Sequence, residues 1–182
     1  MSRLKSLCVI LAAAWLGLEM SSASGLAVQA SGLRSARLTE DGLGPVRIGM
    51  TVRQASKALG RPLKPAAEPD EDERHCYYVY PDVSDDALGF MVSEDRIARV
   101  DVYKPGIRTA TGVGVGTSEA EVIRRYGGKV RIEPHFYTGP EGHYLIVEPR
   151  RGTQILFETD GKCVTQYRAG KLPEVEYVER CL

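Results

Sequence analysis

Metal-ligand or nucleophile chemistry in this chain would fall first to His75, His135 and His143 with Cys76 and Cys163. None of them stands at C-x-x-C, H-x-x-x-H or H-E-x-x-H spacing, the arrangements that bring two donors onto one metal ion. His135 and His143 are separated by a segment containing Gly139, Pro140 and Gly142, and a hairpin there would set them facing each other. With Tyr137 and Glu141 they make an exported enzyme or metal-binding protein the alternative reading of this chain. Covalent catalysis needs an activated Ser or Cys with a positioned base. No G-x-S-x-G elbow occurs, nothing near Cys163 marks it as activated, and no catalytic residue is assigned. The glycines of Gly112-Val113-Gly114-Val115-Gly116 stand one residue too close for a dinucleotide fingerprint, so they read as a strand-to-helix turn. The acidic run Asp70-Glu71-Asp72-Glu73 lacks the Asp/Asn-Gly alternation of an EF-hand and reads as a solvated loop. No metal and no cofactor is expected from these patterns.

The aromatic residues point elsewhere. Tyr77, Tyr78 and Tyr80 share one strand, along which side chains alternate between faces. With Tyr77 and Val79 packed beneath a helix, Tyr78 and Tyr80 occupy the other side of the sheet. Their counterparts in a second copy of the unit, defined below, are Leu145 and Val147. Such a face is an apolar, aromatic binding surface, unless a loop or the C-terminal tail covers it.

The elements that position these residues recur at a constant offset. Gly49-Met50-Thr51-Val52-Arg53-Gln54-Ala55 to Gly60 matches Gly116-Thr117-Ser118-Glu119-Ala120-Glu121-Val122 to Gly127, each position displaced by 67 residues. Thr51 with Gln54, and Ser118 with Glu121, form capping boxes; Ala55/Leu59 and Val122/Tyr126 form apolar stripes; Gly60 and Gly127 terminate the helices. Aromatic and β-branched runs follow at the same offset: Tyr77–Tyr80 with Tyr144–Val147, Leu88 and Phe90 with Ile155 and Phe157, Ile97 and Val100 with Val164 and Tyr167. Ser93-Glu94-Asp95 and Thr159-Asp160-Gly161 read as hairpin turns. The expected fold is therefore α+β: two tandem helix-plus-antiparallel-sheet repeats, residues 43–104 and 110–170, forming one curved sheet with short helices on one face. Residues 31–42 read as a flexible N-terminal segment and 171–182 as a tail.

At the N-terminus a positive start (Arg3, Lys5), an apolar run from Leu7 to Leu18 and small residues to Ala23 have the layout of a secretory signal. The run falls short of the ~20 apolar residues that cross a bilayer. Cleavage falls after Ala23 or, at Val28-Gln29-Ala30, after Ala30. Removal of residues 1–23 leaves 22 basic against 23 acidic residues, a net charge of −1. That balance gives no electrostatic case for nucleic acid or an anionic membrane surface. No second long apolar segment follows, so the expected product is a periplasmic or secreted protein with no transmembrane segment. Cys76, Cys163 and Cys181 survive processing. Three pairings are open; Cys163 aligns just past a hairpin turn, which favours a Cys76–Cys181 disulfide that pins the tail.

The stretch Gly49-Met50-Thr51-x-x-Gln54-Ala55-x-x-x-Leu59-Gly60-Arg61-Pro62 resembles the signature of the outer-membrane β-barrel assembly lipoproteins, and the doubled unit resembles the β-lactamase inhibitor protein-like fold group to which they belong. The resemblance implies a curved sheet built from two helix-plus-sheet units. It also implies a non-enzymatic binding module, an inhibitor or envelope-assembly accessory whose partner is another envelope or secreted protein. No cysteine stands where the lipoproteins carry their lipid, and no contact residue carries over. The segments Pro134-His135-Phe136-Tyr137 and Gly142-His143-Tyr144-Leu145 resemble those of uncharacterised secreted bacterial proteins.

Overall fold

The strand-forming runs within residues 76–102 and 130–171 build a long antiparallel sheet. The structure, a computed structural model, describes residue 33, residues 35–70 and residues 75–181. The expected export signal, residues 1–23, both cleavage positions, and Glu71, Asp72 and Glu73 of the acidic run lie outside the described residues.

Seven strands form the large sheet: β4 (Cys76–Val79), β5 (Leu88–Ser93), β6 (Arg96–Val102), β8 (Val130–His135), β9 (Gly139–Val147), β10 (Thr153–Thr159) and β11 (Val164–Lys171). Their spatial order is β4-β5-β6-β11-β10-β9-β8, with every neighbouring pair antiparallel. The β5–β6 hairpin turns on Glu94 and Asp95, both at positive φ (51° and 60°), the twist that suits a two-residue connection. Four shorter strands, β1 (Arg37–Thr39), β2 (Gly42–Leu43), β3 (Val46–Arg47) and β7 (Arg108–Thr109), form a second sheet in the order β3-β2-β1-β7. Two helices of 8 residues each, α1 (Val52–Leu59) and α2 (Glu119–Tyr126), complete the framework.

One face of the large sheet, with Val79, Phe90, Val100, Ile155, Phe157 and Ala169, packs against the helices and the small sheet. Leu38, Leu43 and Val46 from the small sheet, Ala55 from α1 and Val122 from α2 are fully buried there. The opposite face carries Tyr78, Met91, Arg99, Asp101, Arg168, Leu156 and Tyr144, all buried. It is covered by the C-terminal segment, whose 3₁₀ turn Glu174–Glu176 buries Glu174 and Val175.

The expected α+β architecture of two tandem helix-plus-sheet repeats, 43–104 and 110–170, is corrected by these elements. The described residues are mostly β, in sheets of four and seven strands, beside the two short helices α1 and α2. Each helix has one fully buried residue, Ala55 or Val122, so neither organises a layer of its own. The strands do that work, including β1, β2 and β7, which are too short to announce themselves by periodicity. Strand β8 adds an edge to the second half of the sheet, whereas the first half runs as a proline-bearing loop at 61–70. Residues 37–39 and Gly42, within the segment expected to be flexible, belong to β1 and β2, and Leu38 is fully buried.

Local signals behaved better. Thr51 Oγ1 accepts from Gln54 N and Gln54 Oε1 accepts from Thr51 N, a complete capping box. Ser118 Oγ accepts from Glu121 N, but the Glu121 carboxylate turns to Arg124 and Arg125, so the second box is half made. Gly60 ends α1 in the left-handed region at φ 67°; Gly127, at φ 63° and ψ −149°, leaves it. No helix among the described residues is long and apolar enough to cross a membrane.

Candidate functional site

The face that carries Tyr78 is built from polar residues at alternate positions of β6, β11 and β10. Register places them in rows across the sheet: Arg99 opposite Gly170 and Gln154, Asp101 opposite Arg168 and Leu156, and Gln166 opposite Glu158 and Tyr144. Alternation alone would expose this face to water. Instead the tail lies over it and closes the backbone groups of its turn onto two buried arginines. Arg99 Nη1 donates to the carbonyls of Glu174 and Tyr177, each at 3.0 Å, and Arg168 Nε donates to that of Val175 at 2.7 Å. Arg99 pairs with Asp101 (Nη2–Oδ1, 2.9 Å), and the Tyr78 hydroxyl donates to Asp101 Oδ2 at 3.0 Å. Burial first, then the Asp101 charge, pushes the Tyr78 phenol far above its ordinary value, so it stays a donor. Arg180 stacks over Tyr78 and Tyr103 at 5.1 and 5.0 Å from the ring centroids. The next residue, Cys181, is disulfide-bonded to Cys76 at the start of β4, as expected, and Cys163 is free.

Tyr78 is therefore not the open contact expected of it beside Tyr80, which stays half-buried. Their rings stack at 6.3 Å over Gly89, and the tail covers Tyr78. Leu145 and Val147 lie on the opposite face, inside the main core with Val79 and Phe157. The residues sharing the Tyr78 face are Tyr144 and Ile146, one position earlier. A shift of one residue exchanges the two faces of a strand, and the constant 67-residue offset carries that shift in β9.

The two histidines that a hairpin would set face to face are also divided between the faces. Pro134 pairs with His143, and His135 with Gly139, across a register shift at Pro134/His135. His143 Nδ1 lies 2.8 Å from Glu119 Oε1 at the start of α2, where Thr159 also donates to Glu119. His135 stands on the tail side and stacks on Tyr144 at 4.6 Å. Its Nδ1 accepts the backbone N–H groups of Tyr137 and Thr138 (3.2 and 3.3 Å), which leaves the proton on Nε2 to be donated to Glu158 Oε2 at 3.1 Å. Glu141 is exposed. Among the described residues no group of three or more His, Cys, Asp and Glu side chains converges to hold a metal ion.

Glu158 gathers His135, Gln166 and Arg168. Burial by itself would raise its carboxyl; the Arg168 charge, with the Gln166 and His135 hydrogen bonds, outweighs burial and holds it below the ordinary 4.5. A carboxylate lowered in the folded state contributes stability that is complete above its unfolded value and is lost as the pH falls through the folded one. Urea unfolding between about pH 6 and pH 3 is thus expected to show a loss of stability on acidification that Glu158→Gln reduces. Equal acid slopes in the two proteins would remove Glu158 from that account.

Next to this cluster the sheet is open. A cleft of about 310 Å³ is lined by His135, Tyr137, Tyr144, Glu158, Gln166 and Val178. At Tyr144 and Val178 it adjoins a second of about 270 Å³ between the tail and the sheet, reaching Ile146, Leu156 and Arg168. At the hairpin tip Phe136 is 72% and Tyr137 61% exposed, their rings edge-to-face at 5.0 Å. Tyr177 and Val178 on the tail are exposed too. Of the expected site residues, the structure brings His135 and Tyr137 together here, sends Tyr78 under the tail and leaves Tyr80 half-buried beside it. Phe136 was open to recognition as an aromatic flanked by turn residues. Arg99, Asp101, Glu158 and Arg168 were not, because alternating polar residues read as a solvent face.

No family model matches the chain, and no curated protein matches it. Among solved structures the chain is similar to the crystal structure of the uncharacterized protein yfeY from Escherichia coli, with a TM-score of 0.49 and 16% identity over 74% of this chain and 99% of that one.

Proposed function

We propose that this protein is an exported, non-enzymatic binding module that engages another envelope or secreted protein through the β8–β9 tip and the adjoining cleft. The observation that carries the reading is the exposure of Phe136 and Tyr137 side by side at the mouth of a cleft. Aromatic residues are the commonest anchors of protein interfaces, and a largely water-exposed aromatic pair costs the free protein solubility while stabilising it little. The signal-like N-terminus and the Cys76–Cys181 disulfide support export to the periplasm or the medium. An inhibitor or an envelope-assembly accessory is the role consistent with the Gly49–Pro62 motif, and kinship with that fold group belongs to the same proposal. The separation of His135 and His143 onto opposite faces removes the support that this pair lent to a metal site.

A photocrosslinking residue placed at position 136 in cells tests the reading. One dominant protein adduct is expected, reduced about tenfold or more by Tyr137→Ala, the scale of an interface hot spot. An adduct pattern indistinguishable from that of a crosslinker at exposed Val83 would overturn it.

A further inference from the structure

The cleft at Arg168 continues past Ile146 and Arg131 into a third cavity of about 220 Å³, which reaches Gln154. Along this groove two buried side chains are left with an unused hydrogen-bonding group. Arg168, 4% exposed, places Nη1 on Glu158 and Nε on the Val175 carbonyl, while Nη2 has no partner. Gln154, 2% exposed, donates Nε2 to the Val147 carbonyl at 2.9 Å, while Oε1 has no partner. Buried polar groups are nearly always satisfied, and an orphan costs the free protein stability. Here one orphan is a donor and the other an acceptor; Arg168 lines the second cavity and Gln154 the third, and the two cavities share Arg131 and Ile146.

That pair of requirements selects among ligand classes. A carboxylate or phosphate would satisfy Arg168 and leave Gln154 Oε1 facing more negative charge. An acyl chain would satisfy neither. A peptide unit offers one C=O and one N–H. Gln154 and Arg168 are diagonal neighbours in the β10–β11 ladder, since Gln154 pairs with Gly170 and Leu156 with Arg168. Diagonal neighbours lie ~7–8 Å apart, close to the ~6.6–6.8 Å that two residues of an extended chain span. The floor between them is apolar, made by Ile146 and Leu156. The charges at the rim balance, Arg131 being paired with Glu133, so the groove has no call for a strongly charged ligand.

We infer that the groove between the tail and strands β9–β11 is a binding site for an extended, apolar peptide segment of a partner protein, whose backbone C=O is read by Arg168 and whose backbone N–H is read by Gln154. The inference rests on the binding-module reading of this end of the sheet and specifies what is bound there.

The test uses the full oxidised protein and a degenerate decapeptide library of alternating apolar and polar residues, selected on the immobilised protein. Selected peptides are labelled and measured by fluorescence anisotropy, then rescanned with single backbone N-methyl groups. Gln154→Met, similar in length but lacking the acceptor, is expected to weaken binding about tenfold. At one interior position N-methylation is expected to cost about tenfold on the wild-type protein and nothing further on Gln154→Met. The methyl scan leaves the protein unaltered, so it reads the contact even if the variant is destabilised. Selection of no peptide, an N-methyl scan with no position coupled to Gln154, or preferential binding of laurate overturns the inference. Loss of the position-136 adduct in Tyr137→Ala with no coupled N-methyl position would leave the binding module standing and remove the peptide groove. Coupling without a specific adduct would do the reverse.

Discussion

Arg99→Met is expected to destabilise the protein by about 3–5 kcal/mol at neutral pH, the range found when one partner of a buried ion pair is removed. Arg99 is among the largest fully buried side chains, and it holds Asp101 on one side and two tail carbonyls on the other. Methionine fills much of the same volume and supplies none of the donors. Asp101 would then keep only the Tyr78 hydroxyl, and the carbonyls of Glu174 and Tyr177 would lose the guanidinium donor. Urea denaturation with constant slope measures the change, and a protein of this size should melt ~10 °C lower or more. The double variant Arg99→Met, Asp101→Asn should recover part of the loss, because it no longer leaves a charge alone in the interior. A loss below about 1 kcal/mol for the single variant would mean that water reaches Asp101 and serves in place of Arg99.

Replacing both Cys76 and Cys181 by serine is expected to cost up to about 4.7 kcal/mol, the loop-closure figure for a loop of roughly a hundred residues. The two cysteines are 105 positions apart, so the bridge closes the chain from β4 to the tail into one loop. Its native-state effect is local. Residues 172–181 hold the sheet through the Arg99, Arg168 and Arg180 contacts, and the disulfide anchors their far end. Hydrogen exchange in the serine variant should therefore quicken first at residues 174–181, with Ile97 and Val100 in β6 still protected. Equal exchange at the tail in both proteins would show that the disulfide acts on the unfolded chain alone. The Arg99 and cysteine substitutions act on the same segment, and their effects should combine to less than their sum.

These expectations rest on the tail, which the sequence presented as a remnant outside a repeat. In the folded protein it is the third layer. It converts what would be the wet face of an antiparallel sheet into a second buried zone, with Tyr144, Ile146 and Leu156 beside the ionic rows. The same layer explains why Tyr78 fails as an open contact residue while Tyr137, at the β8–β9 tip, is exposed.

The contrast has a physical cause. Caps, turns and strand composition act over three or four residues, and those were legible: the Thr51–Gln54 box, the left-handed Gly60, and the Glu94–Asp95 hairpin. The Cys76–Cys181 pairing was legible too, because few partners were available. The division of β9 into faces was not. It depends on which residue of β9 stands opposite Phe157, and register places Leu145 there, so Leu145 goes to the core and Tyr144 to the tail side. The separation of His135 from His143 depends on the register shift at Pro134/His135. The two-repeat fold class was overturned because packing is decided by the area that each element buries, and the strands bury far more than two helices of two turns each. By itself the sequence determined the local punctuation of the chain and the bond that ties its end. The tertiary structure alone decided which faces are dry and where the groove lies, because both depend on segments distant in the chain being pressed together.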